Sequence, residues 1–254
     1  MGRLDGKVCV ITGAGGGMGA DAAARFTEEG ASVVVADVDG AAAATVAAAV
    51  GGLAVQVDVA DEASVEALYA AATAHFGGID VLYNNAGISP ADDASILDTD
   101  LDAWERVQAV NTRGVFLCCK HGIPHLLERG GGSVINVASF VALVGAATSQ
   151  ISYTASKGAV LSLSKELGVQ FARQGVRVNA LCPGPVETPL LLRIWSETPG
   201  AAERRLVHVP MGRMAKPREI VNAALFLASD ESSYVNAATF VVDGGLTAAY
   251  VTPE

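Results

Sequence analysis

Lysine and arginine never run longer than a pair in these 254 residues, and the 17 of them face 27 acids for a net charge of −10. That balance argues against nucleic acid or an anionic membrane surface as a partner. Long apolar runs are missing too. The most apolar tract, AAAATVAAAVGGLAVQV (41–57), is broken by Gly51 and Gly52 short of the ~20 residues that a bilayer span requires. No signal pattern opens the chain, because Asp5 and Lys7 interrupt it, so a soluble, cytoplasmic protein is expected. No C-x-x-C occurs among Cys9, Cys118, Cys119 and Cys182, which read as buried, reduced thiols. His121 and His125 in HGIPH have i,i+4 spacing, but Pro124 is expected to disturb the helix and no acidic base lies between them. No metal site is read there. Charged residues make up only 17% against 51% hydrophobic, below the roughly 25% charge of an average domain. A large, well-covered core follows.

Apolar, β-rich runs recur at 7–12, 32–37, 53–58, 79–84, 132–139, 176–182 and 239–244. Most are continuous rather than alternating, as in strands buried on both faces. Helical patterns fill 18–29, 40–50, 62–76, 100–128, 151–173 and 217–228, with Asp61 and Thr99 as candidate caps. This alternation predicts an α/β protein, a doubly wound parallel sheet with right-handed crossovers. No repeat or linker marks a second domain, so 1–254 reads as one unit. The irregular, proline-bearing segment 183–216 is its least regular part, a candidate lid.

Directly after the first run comes TGAGGGMG (12–19), spaced Gly13-x-x-x-Gly17-x-Gly19, with Gly16 and Met18 between. Glycine at a strand-to-helix turn lets backbone N–H groups and a helix N-terminus approach a pyrophosphate. Asp37 ends the second run, near the spacing at which a carboxylate receives ribose hydroxyls. It would also repel a 2′-phosphate by about 1–4 kcal/mol at ~4 Å. No Lys or Arg occurs between residues 8 and 24 to offset that, so the charge logic favours NAD over NADP.

Tyr153 and Lys157 in ISYTASKGAV share one helix face. The spacing suits an aromatic packed beside a lysine that reaches for water. It also suits a phenol made acidic by a neighbouring cation.

From KVCVITGAGGGMG to FVVDGG the sequence resembles the short-chain dehydrogenase/reductase family, over nearly its whole length. The resemblance rests on the glycine loop, DV (58–59), NNAG (84–87), Asn111, Ser139, Tyr153 with Lys157, and PG (183–184) before Val186 and Thr188, all in the family's order. It implies a Rossmann-type sheet of about seven strands with helices on both faces. Asp58 and Val59 would flank the adenine, and Asn85, Ala86 and Gly87 would stand beside the cofactor. Pro183, Gly184, Val186 and Thr188 would hold the nicotinamide carboxamide. Tyr153 would take the substrate's hydroxyl proton, Ser139 would bond its oxygen, and Lys157 would bind the nicotinamide ribose. Asn111 would hold a water in a proton relay. Moving a tyrosine from about 10 to near 7 takes roughly 4 kcal/mol, a load expected to fall on Lys157 and the oxidised nicotinamide ring. One departure is Asn236–Ala237, where the family often has glycine.

The reaction implied is NAD-dependent interconversion of a secondary alcohol and a ketone. Reduction of a 3-oxoacyl thioester is the near alternative, and a nicotinamide-binding sensor without turnover the remote one. Phe140, Val141 and Leu143, with Leu190, Leu191, Leu192, Ile194 and Trp195 after the PG motif, suggest an apolar substrate pocket. Ser139, Gln150, Tyr153 and Gly184 complete its expected lining. Arg193, Arg204 and Arg205 could meet an anionic group or merely face water. The resemblance also implies a homotetramer, or a dimer, built on the helices at 100–128 and 151–173 and on the last helix and strand.

Overall fold

The computed structural model describes residues 2–146, 148–189, 191–192 and 200–250. Seven strands form one parallel sheet: β1 (Val8–Thr12), β2 (Ser32–Asp37), β3 (Leu53–Gln56), β4 (Val81–Asn84), β5 (Gly132–Val137), β6 (Val176–Pro183) and β7 (Thr239–Val242). Their order is β3-β2-β1-β4-β5-β6-β7, so the winding reverses between β1 and β4. Ligands of such sheets bind at that reversal, outside the strands' carboxyl ends. The glycine loop leaves β1 and NNAG ends β4, so both motifs meet at this point.

Helices cover both faces. On one lie α1 (Gly17–Glu28), α2 (Gly40–Val50) and α8 (Pro217–Ala228), packed against Cys9, Ile11, Val35, Tyr83 and Ile135. On the other lie α3 (Glu62–Phe76), α5 (Gly114–Glu128) and α6 (Ile151–Phe171), packed against Val10, Val34, Leu82 and Val134. Successive strand residues thus feed opposite cores, which is why the strands read as unbroken hydrophobic runs. A short helix, α7 (Ala201–Leu206), stands inside the segment expected to be irregular. No described helix is long and apolar enough to cross a membrane.

Three expectations change or are refined. The 100–128 pattern is helical throughout but not uniform: α4 (Leu101–Gln108) runs into α5 through a π-helical turn, Ala109–Arg113, a bulge often found at functional sites. Asp100, not Thr99, caps α4 by accepting from the Ala103 N–H at 2.7 Å. The Thr99 hydroxyl is engaged instead by the Ala94 N–H at 2.8 Å. Pro124 does not end α5, which runs through it. The two histidines diverge all the same: His121 faces Glu62 and Glu66, while His125 faces Thr73 and Glu128. Asp61 caps α3 as expected, and all four cysteines are free and buried.

Candidate active site

Gly13 adopts φ +64 and lies so close to the chain after β4 that a Cβ would stand 2.8 Å from the Ala86 Cα. A Cβ at Gly19 would meet the Gly13 carbonyl at 2.2 Å. Those two glycines serve close packing. Gly16 and Gly17 are different, because a Cβ on either would meet nothing within 4 Å. Gly16 is the N-cap of α1 without a side-chain cap, and no acid occupies the first turn, which begins Gly17–Met18–Gly19. An open backbone at an uncapped helix start fits a phosphate.

The Asp37 carboxylate at the end of β2 receives the Gly15 N–H at 2.8 Å and the Asp39 N–H at 3.0 Å. A carboxylate has about four acceptor sites, so capacity remains for ribose hydroxyls. Asn85 donates to the carbonyls of Thr12 and Gly13 at 3.0 and 3.1 Å, while its Oδ1 is buried without a partner. Asp58 is exposed and bonds the Ala60 N–H at 2.9 Å. Val59, expected beside an adenine, turns its side chain into the core, where a Cβ on Gly114 would meet it at 2.8 Å. The open glycine cradle, the spare Asp37 sites and the orphaned Asn85 oxygen together fit a dinucleotide.

Ser139 follows β5, while Tyr153 and Lys157 lie one turn apart on α6. The Ser139 hydroxyl lies on the side of the Tyr153 phenol and favours its charged form. Lys157 is buried, its Nζ 5.5 Å from the Tyr153 ring centre and 2.7 Å from the Val137 carbonyl oxygen. Gly87 sits between two of these groups: a Cβ there would lie 3.3 Å from Asn111 Oδ1 and 3.4 Å from Lys157 Nζ. The four expected residues do converge.

Electrostatics show what the protein groups contribute to the load expected to fall on Lys157 and a nicotinamide ring together. Burial pushes the Tyr153 phenol up, offset in part by the Ser139 hydroxyl. Burial also lowers Lys157 to about 8. Protein groups alone therefore do not make this phenol acidic, because desolvation outweighs them and the ammonium is turned to Val137. Burial likewise pushes Cys182 up to about 11, offset in part by the Ser139 main chain and the Lys157 ammonium, an inert thiol.

Both donors of the Asn111 amide and one of its two acceptor sites are occupied. It accepts from the Ile88 N–H at 2.8 Å and donates to the Ile88 carbonyl at 2.9 Å and to Ser156 at 3.1 Å. The side chain thus clamps the strand after β4 to the π-helical turn.

On the far side of the site, Gly184 packs against Asp243, where a Cβ would approach the Asp243 Cα to 2.7 Å. Pro183 ends β6, Val186 is buried and bridges to Ala215, and Thr188 bonds the Leu191 N–H through its hydroxyl. Val141 is buried in the turn after Ser139, Gln150 is half-buried at the start of α6, and Leu191 is half-buried. Leu190, Ile194, Trp195 and Arg193 lie outside the described residues. Arg205 donates to Thr148 at 3.0 Å, linking α7 to the loop after Ser139.

Two sets of positioning contacts escaped the sequence reading. Asn84 donates to Asn136 at 2.8 Å and Asn136 to Ser164 at 3.0 Å, tying β4, β5 and α6 together. Asp93 bonds the first turn of α6. The hint in the sequence was a long helix starting at Gln150 without a local cap, which calls for a distant one.

A family model described as enoyl-(acyl carrier protein) reductase matches residues 13–247. The chain is 42% identical over 246 residues to cis-4-hydroxycyclohexanecarboxylate dehydrogenase of Sinomonas cyclohexanicum, covering 95% of this chain and 97% of that one. It is 40% identical over 255 residues to meso-2,3-butanediol dehydrogenase of Serratia marcescens, covering 99% of each. Among solved structures, 3-ketoacyl-(acyl-carrier-protein) reductase from Brucella melitensis complexed with NADH superposes with a TM-score of 0.89 at 38% identity, covering 96% of this chain and 99% of that one.

Proposed function

The chain belongs to the short-chain dehydrogenase/reductase family, and from that premise we propose that it interconverts a secondary alcohol and a ketone with NAD. The observation that carries this reading is the meeting of Ser139, Tyr153 and buried Lys157 beside an open glycine cradle. Relatives named for a hydroxycyclohexane acid and a butanediol support a CH–OH substrate.

When bound, the nicotinamide takes up a hydride in oxidation and supplies it in reduction. Ser139 Oγ holds the substrate oxygen where charge develops. Tyr153 Oη removes the hydroxyl proton during oxidation and returns it during reduction. Lys157, at about 8, exchanges a proton near neutral pH and holds the nicotinamide ribose. Asn111 orders the relay to solvent by fixing the backbone at Ile88. Gly13, Gly16, Gly17, Met18 and Gly19 cradle the pyrophosphate, and the 183–188 segment holds the carboxamide. Asp37 selects NAD by repelling a 2′-phosphate, worth about 1–4 kcal/mol.

Four free, buried cysteines suit a reducing, cytoplasmic setting. Exposed Leu101 and Phe116 on α4 and α5, and Val241 on β7, support assembly as a tetramer through those faces.

The test is a panel of secondary alcohols, including meso-2,3-butanediol and hydroxycyclohexane acids, with NAD⁺ or NADP⁺ supplied separately. Turnover with NAD⁺ is expected. Preference for NADP⁺ would overturn the Asp37 assignment, and silence throughout despite NADH binding would favour a sensor.

A further inference from the structure

Asp93 is a buried carboxylate, 5% exposed, in the loop between β4 and α4. Its Oδ1 receives the Ser152 N–H and its Oδ2 the Tyr153 N–H, each at 2.8 Å. The neighbouring Ala94 carbonyl receives the Ile151 N–H at 3.2 Å. Three consecutive donors at the start of α6 are thus satisfied by one loop, while the helix's own N-cap, Gln150, offers no side-chain bond. The same loop runs through Ile88, which Asn111 grips on both its N–H and its carbonyl. It passes Gly87, against which Lys157 and Asn111 both lie.

We infer that Asp93 is a positioning residue for the proton-transfer chemistry: by binding the Tyr153 and Ser152 amides it fixes where α6 starts and where the phenol stands relative to Ser139. This rests on the oxidoreductase reading above. The physical reason is geometric. Tyr153 is only the third residue of α6, where a helix frays unless capped. A charged acceptor on two adjacent amides is a strong restraint. A fray there would move the phenol by the kind of distance that costs about a hundredfold in rate. The glycine loop and Asp37 lie off α6, and Lys157 stands a full turn beyond the frayed residues, so binding of the dinucleotide would change little.

The test compares Asp93→Asn with Asp80→Asn. Asp80 makes the same kind of bond, receiving the Val8 N–H at 2.8 Å, where β1 begins and away from the cradle that follows its end. Three readings are taken on the full-length protein: amide hydrogen exchange at Ser152 and Tyr153, NADH binding by fluorescence, and steady-state oxidation of the panel alcohol that the wild type turns over fastest. Asp93→Asn is expected to speed exchange at both amides and to lower kcat roughly ten- to a hundredfold, with the NADH Kd within about twofold. Asp80→Asn should keep its kcat. Unchanged exchange, unchanged kcat in Asp93→Asn, or an equal kcat loss in Asp80→Asn overturns the inference. If Asp93→Asn does not fold, Asp93→Ser takes its place under the same criteria. An inactive wild type that binds NADH would instead overturn the functional reading on which the inference stands.

Discussion

Lys157 holds its ammonium nitrogen 5.5 Å from the centre of the Tyr153 ring while donating to the Val137 carbonyl oxygen at 2.7 Å. A cation at that distance from an aromatic face is held favourably, yet burial opposes its charge and brings it to about 8. The pair therefore stores an electrostatic cost in the folded protein, and it does so beside Ser139, where a substrate oxygen would sit. Sites of chemistry commonly carry such a cost.

The cost is measurable. Because Lys157 titrates at about 8 rather than 10.5, the folded protein releases this proton before the unfolded chain does. Below pH 8 the folded state bears the full penalty of the buried ammonium. Between about 8 and 10.5 the penalty fades, since only the unfolded chain remains protonated. Lys157→Met is expected to be more stable than the wild type by up to about 3 kcal/mol below pH 8. That gain should shrink toward zero near pH 10.5, while turnover is lost. Denaturant melts of both proteins across this range check the slope. A gain that is constant with pH would show that the ammonium is not the cause.

Removing the Asp37 carboxylate should relax cofactor choice. Its charge is held in place by the Gly15 and Asp39 amides at 2.8 and 3.0 Å. Asp37→Ala is expected to narrow the NAD/NADP ratio of kcat/KM by at least about fivefold, from repulsion of about 1–4 kcal/mol. The rise should come mainly through a lower KM for NADP⁺. A ratio unchanged in the variant would place the discrimination elsewhere.

Ala237 is the one non-glycine with positive φ among the described residues, at +54. Its Cβ also presses on α6, where a Cβ on Gly168 would come within 3.0 Å of it. A left-handed alanine costs about 1–2 kcal/mol, part of which glycine would return in the unfolded chain. Ala237→Gly is thus expected to raise stability by up to about 1 kcal/mol, or roughly 2–4 °C in melting temperature. Activity should not change. A lower melting temperature would mean that the Ala237 methyl's packing outweighs its strain.

What the sequence made legible was local. Unbroken runs such as VCVIT and SVVVAD sit between two helical layers, so their pattern declared buried parallel strands. The glycine loop declared itself by its place after β1, and Asp37 by its place at the end of β2. The tyrosine–lysine pair needed only helical spacing. What stayed hidden depended on distant partners or on small local competition. Asp93 acts on residues 59 and 60 positions away, and Asn136 looks like any strand residue until Asn84 and Ser164 stand beside it. Thr99 and Asp100 are both good caps, and the choice was made by Ala94 taking the threonine hydroxyl. The π-helical turn around Asn111 leaves no mark in a pattern whose apolar spacing continues across it. The depth of burial that pushes the phenol up comes from packing that the tyrosine–lysine spacing does not show.

In the proposed reaction Tyr153 moves the proton while hydrogen passes directly from a carbinol carbon to NAD⁺. The most direct measurement gives the wild type and Tyr153→Phe a panel of secondary alcohols deuterated at that carbon, with NAD⁺, and follows deuterium in the reduced dinucleotide by mass spectrometry. The wild type should transfer one deuterium per turnover. Tyr153→Phe, still binding NADH, should transfer it about a hundred- to ten-thousandfold more slowly. Transfer by Tyr153→Phe at the wild-type rate, or none by a wild type that binds NADH, would contradict the account.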